Sequence, residues 1–213
     1  MYLDALAHHP YPFGSPRRHA LNIDDVVIPD FARLSRPLAV AVRAGNVLPR
    51  GSKQLWATEI SWDTRPPDPG GIPAHKQARY LEGALNVLWK EGVDVVTWYL
   101  LRDEARGRGY LYTLQSGIFL RGATVARDRR KPSFEGFRFP FTAYRTGARA
   151  ELWGLAPGPG PVTIQIRRGR AWRHLVTLRA GSNRVFLGHR RVAAGTLLRA
   201  RWKGQASLSW KVF

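Results

Sequence analysis

The chain has 213 residues, 44% of them hydrophobic and 11% aromatic, enough apolar material for a real core and too much for an intrinsically disordered chain. It contains no cysteine, which excludes disulfides, a thiolate nucleophile and a Cys-based zinc site; nor does any apolar run reach the roughly 18 residues of a membrane-spanning helix. The formal net charge of +19 is mostly arginine and is concentrated after residue 145, where Glu151 is the only acid. The cations are spread along alternating segments and form no dense block, so no specific nucleic-acid partner is expected.

Residues 2–9, Tyr-Leu-Asp-Ala-Leu-Ala-His-His, read as a strand that runs into a rigid loop at Pro10-Tyr11-Pro12, because proline cannot continue a ladder. No basic and then apolar leader is visible at this end. Residues 13–20 are a Pro/Arg/His-rich loop. Residues 24–44 have helical spacing through Phe31, Leu34, Leu38 and Val42; Pro37 should break or kink the helix, and Gly45-Asn46 should end it.

Residues 54–63, Gln-Leu-Trp-Ala-Thr-Glu-Ile-Ser-Trp-Asp, read as a buried strand that the Pro/Gly-rich loop at 65–71 stops near Thr64. Glu59 lies near its carboxyl end. Dehydrating a carboxylate is costly, so packing gives little reason for it. The mouth of a parallel sheet or barrel suits a catalytic group there, and a salt-bridged structural Glu is the plain alternative.

Residues 75–91 form the clearest helix, with Tyr80, Leu81, Ala84, Leu85, Leu88 and Trp89 as an apolar stripe and Gly92 closing the end. Residues 93–99 are a second β-branched strand, followed by Arg102-Asp103. This order of strand, helix, strand, helix, strand implies parallel crossovers. Residues 104–130 read as an Arg/Gly-rich loop and 131–137 as a short helix. From about Pro140, apolar and polar residues alternate in runs at 150–155, 162–167, 172–178, 185–189, 197–202 and 207–212, with a hairpin loop at 154–160. That pattern predicts an antiparallel β-sandwich of some seven strands. The fold class is α/β plus all-β, with domains at 1–139 and 140–213.

Three strand ends resemble those of clan A glycoside hydrolases, the (β/α)8-barrel retaining enzymes, in their cellulase-like and family 39-like branch. Ala57-Thr58-Glu59-Ile60-Ser61-Trp62 resembles the seventh-strand segment that supplies the nucleophile. His9-Pro10-Tyr11 resembles the sixth-strand His-x-Tyr whose Tyr hydrogen-bonds it. Thr97-Trp98-Tyr99 resembles the eighth-strand end, where a Trp floors the sugar subsite, and Lys131-Pro132-Ser133-Phe134 the start of the last helix. The resemblance covers roughly residues 1–140. It implies a partial (β/α)8 barrel (its last three strands) followed by the antiparallel β-sandwich, a carbohydrate substrate, and a secreted or cell-surface enzyme when complete. The residues themselves offer no metal pair at His8-His9 and no phosphate- or dinucleotide-binding glycine fingerprint, so no metal and no cofactor are expected.

Glu59 is then the candidate nucleophile and Tyr11 its hydrogen-bond donor. His9 lines the site, Trp62 and Trp98 either offer flat apolar rings to sugar faces or belong to the core, and Asp103 with Arg102 offers a sugar-hydroxyl acceptor. A retaining enzyme needs a second carboxyl about 5–5.5 Å from the first. In the clan it follows an Asn on the fourth strand, which has no counterpart here, and Asp4, Asp63, Asp103 and Glu104 are poorly placed for the role. The expectation is therefore a glycosidase fragment, inactive alone and able to associate with a missing N-terminal half. The alternative is a non-catalytic carbohydrate or anionic-polymer binding protein, using a basic sandwich that carries Trp153, Trp172, Trp202 and Trp210; their plainer reading is core.

Overall fold

A computed structural model describes residues 1–12 and 14–213 and divides the chain into two units, Met1–Lys131 and Pro132–Phe213. The expected limit at residue 139 and this division bracket one short helix. Phe13, at the head of the expected 13–20 loop, lies outside the described residues.

The first unit runs β1 (Ala5–His8), a 3-10 turn (Ile28–Asp30), α1 (Ala32–Arg43), β2 (Gln54–Ile60), β3 (Thr64–Arg65), β4 (Ile72–Pro73), α2 (Ala74–Lys90), β5 (Val95–Trp98), β6 (Phe119–Leu120) and β7 (Arg129–Arg130). β1, β2 and β5 form one parallel sheet in that order, with His8 beside Ala57 and Ile60 beside Trp98. β3 and β4 make a small parallel pair, and β6 and β7 a small antiparallel one.

Two expectations about the helices need correction. Of the break or kink expected at Pro37, the break does not occur: α1 runs unbroken through it from Ala32 to Arg43. It starts only at Ala32, so Pro37 falls in its second turn, where the ring removes a single backbone bond near a terminus. On α2 the buried residues are Gln77, Ala78, Leu81, Glu82, Gly83, Ala84, Asn86 and Leu88, while Trp89 is 38% exposed. The helix does stop where expected. Gly92 adopts φ +75°, and the Val93 N–H returns to the Leu88 carbonyl at 3.0 Å, a left-handed cap that costs glycine nothing.

The expected buried strand at 54–63 is buried on one face only over its first half, while Ile60, Ser61 and Trp62 at its far end are all buried. Leu55 and Ala57 point into the core, whereas Trp56 is 36% exposed. Its register partners Ala7 and Val95 are exposed on the same face, as the period of two requires. The sheet therefore presents an apolar face with no covering layer among the described residues.

The second unit runs α3 (Pro132–Arg138), β8 (Phe141–Thr146), β9 (Arg149–Leu155), β10 (Gly160–Arg168), β11 (Ala171–Ala180), β12 (Val185–Arg191), β13 (Leu197–Trp202), β14 (Gln205–Ala206) and β15 (Trp210–Lys211). One antiparallel sheet has the order β12-β9-β8. The other has β11-β10-β13, with β14 and β15 both paired to β13. Phe141, Leu152 and Phe186 from the first sheet share one core with Val162, Ile164 and Leu198 from the second, as in a β-sandwich. Residues 154–160 are not a hairpin: they join β9 in one sheet to β10 in the other. Within β9, a Cβ on Gly154 would lie 2.5 Å from the Pro140 carbonyl oxygen and 2.3 Å from Phe186 Cζ, so only glycine fits. Trp153 and Trp210 are core, at 0% and 3% exposure. No helix among the described residues is long and apolar enough to cross a membrane.

Candidate active site

Parallel pairing puts the carboxyl ends of β1, β2 and β5 on one side of the sheet. From that side His9 and Tyr11 follow β1, Glu59 sits near the end of β2, and Trp98 ends β5. The Tyr11 N–H closes a tight turn onto the His9 carbonyl at 2.9 Å, which swings the phenol toward the neighbouring strand. Tyr11 Oη then donates to Glu59 Oε2 at 2.8 Å. His9 Nδ1 lies 3.5 Å from the same oxygen, an ion pair only when the ring is protonated. Among the described residues both polar contacts of the Glu59 carboxylate fall on Oε2.

The Tyr11 phenol is pushed well above its ordinary range. Burial contributes most, followed by the hydrogen bond to Glu59 and the charge of that carboxylate; the Ser61 hydroxyl opposes these, and Tyr99 adds a little. The proton therefore stays on Tyr11, which fixes it as donor and Glu59 as acceptor. Ser61 and Tyr99 belong to this cluster, although sequence reasoning assigned neither to it. Both lie within the strand-end segments already singled out, so their nearness to Glu59 was legible and their influence on the Tyr11 phenol was not.

Trp62 and Trp98 come together, with ring centroids 5.9 Å apart and planes at 32°. Trp62 also packs on Tyr80 at 5.2 Å and donates through Nε1 to the Gly14 carbonyl at 2.7 Å. Trp98 Nε1 donates to the Ser116 carbonyl at 2.9 Å, and the buried Gln77 Nε2 ties the Trp62 and Ser116 carbonyls together at 2.8 and 3.0 Å. Trp62 and Trp98 are each only 9% exposed, so the pair is a packed wall with little ring surface left open.

Asp103 does not join the carboxylate cluster. Its Oδ1 accepts from Lys131 Nζ at 2.6 Å and from the Gly117 N–H at 2.9 Å, with both charged groups buried. Lys131 also donates to Thr64 Oγ1 at 2.7 Å and to the Gln115 carbonyl at 2.8 Å. Burial pushes the Asp103 carboxyl up and the Lys131 ammonium down, and their mutual attraction opposes both shifts. Asp63 is drawn into the same region, its Oδ1 accepting the Gln115 N–H at 2.8 Å, with burial raising its carboxyl. Arg102, expected beside Asp103, instead donates through Nε to Asp128 Oδ2 at 2.6 Å. A Cβ on Gly117 would lie 2.3 Å from the Asp103 backbone nitrogen, so the 115–118 segment can pass here only as glycine. The network pins together the loops that leave β2 and β5. Its hub, Lys131, carried no local sequence signal beyond its place before a helix.

The arrangement supplies one oriented carboxylate at an accessible strand end, suited to act as nucleophile or base. No known family model matches the sequence, and no curated protein matches it. Among solved structures, the chain is similar to a family 39 glycoside hydrolase from the gut symbiont Bacteroides cellulosilyticus WH2, at 14% identity and a TM-score of 0.52, over 86% of this chain and 44% of that one. Looser likenesses are to a β-porphyranase of glycoside hydrolase family 86 from Bacteroides plebeius (12% identity, TM-score 0.40, 90% and 42% covered) and to SrfJ from Salmonella typhimurium (17%, 0.38, 77% and 39%). The chain thus spans less than half the length of each of these structures. The likeness to the family 39 enzyme is one of fold.

Proposed function

We propose that this chain is the carboxyl-terminal part of a retaining O-glycosyl hydrolase, with Glu59 as its nucleophile and a β-sandwich accessory domain behind it. One observation carries the reading: the 2.8 Å bond from Tyr11 to Glu59, between the carboxyl ends of adjacent parallel strands. It joins the two residues that the sequence resemblance pairs.

In this reading Tyr11 holds Oε2, leaving Oε1 to attack the anomeric carbon. The new C–O bond forms as the glycosidic C–O bond breaks, and the leaving oxygen takes a proton from a general acid. Water, deprotonated by that same group, then hydrolyses the glycosyl ester with net retention. His9 borders the sugar, and Trp62 and Trp98 wall the subsite. Asp103 acts through Lys131 as a positioning residue and not as a sugar ligand.

The second carboxyl comes from a segment outside these residues, because Asp63 and Asp103 are turned into the buried network. The open face of Ala7, Trp56 and Val95 supports this, since a parallel sheet is ordinarily covered on both sides. Preceding strands, completing the (β/α)8 barrel of which these are the last three, cover that face and carry the acid. Residues 1–213 alone turn over no glycoside.

The test is a form extended upstream, assayed on aryl glycosides beside its Glu59→Ala and Tyr11→Phe variants. Glu59→Ala is expected to lower kcat by on the order of 10³-fold or more, with Tyr11→Phe showing a smaller loss. Undiminished turnover in Glu59→Ala would overturn the assignment. Hydrolysis by residues 1–213 above background would overturn the claim that a second segment is needed.

A further inference from the structure

The outer face of the β11-β10-β13 sheet has a composition that packing does not explain. Alternation sends Val162, Ile164, Leu198 and Ala200 into the core and leaves Gln165, Arg167, Arg199 and Arg201 on the opposite side. Register sets Gln165 beside both Arg199 and His174, and Arg167 beside Trp172. Arg199 Nε donates to Gln165 Oε1 at 2.8 Å, and its guanidinium lies 4.3 Å from the Trp172 ring centroid. Arg167 approaches the same ring at 5.4 Å and is steadied by its Nε bond to the Gly169 carbonyl at 2.9 Å.

No acid answers these cations. Residues 132–213 contain only Glu135, paired with Arg138 on α3, and Glu151, on β9 of the other sheet. Burial first, then the charges of Arg201 and Arg167, hold the Arg199 guanidinium below its ordinary range. No ion pair among the described residues of this unit compensates the crowd.

We propose that this face binds a polyanionic polysaccharide, sulfated or uronate-bearing, through Arg167, Arg199 and Arg201. Guanidinium forks pair bidentately with planar or tetrahedral oxyanions, and Arg199 is already oriented for it, so little side-chain entropy is lost on binding. Arg199 and Arg201 lie roughly 7 Å apart along one strand, a row that an extended polyanion can follow. Single-stranded nucleic acid fits less well, because base stacking favours large free aromatic rings and the one indole on this face, Trp172, already carries two guanidinium groups. This site lies in the second unit and does not depend on the glycosidase reading.

The experiment is affinity electrophoresis of the 213-residue chain through gels containing dextran sulfate, polygalacturonate or neutral dextran, at low and high salt, with single- and double-stranded DNA as competitors. Both polyanions should retard the protein at low salt and less at high salt, and neutral dextran should not. Combined Arg167→Gln, Arg199→Gln and Arg201→Gln should weaken retardation at least about tenfold, whereas the charge-matched set Arg145→Gln, Arg149→Gln and Arg190→Gln on the other sheet should leave it within about twofold. Arg199→Lys, which keeps the charge and loses the fork, should weaken it several-fold and serves if the triple variant fails to fold. Equal loss in both triple sets, stronger competition by DNA than by the polysaccharides, or no retardation at low salt would overturn the proposal.

Discussion

In the second unit both inner sheet faces meet in one core, and Phe141, Phe186, Ile164 and Leu198 have no exposed surface beyond 1%. In the first unit the parallel sheet buries Leu55 and Ala57 on one side and leaves Ala7, Trp56 and Val95 exposed on the other. The antiparallel sandwich satisfies itself by stacking two sheets, whereas the three parallel strands keep one face without a covering layer among the described residues. The first unit compensates with polar fastening: the Lys131–Asp103 pair and its partners clamp the loops beside the strand ends. Apolar interdigitation holds the sandwich, and a buried charge pair holds the candidate site.

The largest test of that contrast is Lys131→Met. It removes the cation and leaves Asp103 buried without its counter-charge, which should cost about 3–5 kcal/mol by chemical denaturation. Amide exchange should show the loss around residues 100–120, while strands β8–β13 keep their protection. Adding Asp103→Leu should recover much of the loss, because a matched apolar pair needs no desolvated charge. Loss spread evenly over both units would mean that the pair does not fasten the first unit in particular.

The sequence was most informative where a single local rule decides. Gly92 ended its helix because only glycine sits at positive φ without strain, and Glu59 stood out because a carboxylate rarely belongs on a β-favouring run. It was least informative where the outcome rests on a distant partner. Nothing near Lys131 announces Asp103, and nothing near Asp103 distinguishes a sugar acceptor from a buried counter-ion. The 154–160 segment has the composition of a hairpin loop, yet which sheet β10 joins is set by its pairing with β11 and β13. Trp89 and Trp56 illustrate the same gap, since periodicity marks which residues share a face but not whether that face is covered.

A smaller effect concerns acid. Burial raises the Asp30 carboxyl, but the Ala20 N–H at 2.9 Å, His19 at 2.8 Å and Arg33 at 3.3 Å together bring it below the ordinary aspartate range. A carboxyl held below its unfolded value contributes stability above that value, near about pH 4, and loses it as the pH falls through the folded one. Asp30→Asn should therefore lower stability at neutral pH and cost progressively less below about pH 4. Asp63 and Asp103, raised by burial, act in the opposite sense and are unchanged in the variant, so they cancel from the difference. Denaturation midpoints measured on both sides of that range decide it. A difference that persists undiminished into acid would show that the charge of Asp30 is not what stabilises.

The smallest expected change in stability is also the sharpest test of the open face. Truncating a closed-core residue such as Phe186, 1% exposed, should cost about 3–5 kcal/mol. Trp56 is far larger than the residues around it, yet its indole is 36% exposed and its Nε1 is bonded only to the neighbouring Gln54 side chain at 3.0 Å. Trp56→Thr keeps β propensity and removes a partly covered ring, so the loss should stay at about 1–2 kcal/mol, below the closed-core cost. Self-association, followed by light scattering against concentration, should fall, because the largest apolar group on an uncovered sheet face is gone. A loss of several kcal/mol would mean that Trp56 is packed in the isolated chain after all. Unchanged association with a loss in the expected range would mean that the face attracts nothing, and the proposed covering strands would lose their physical motive.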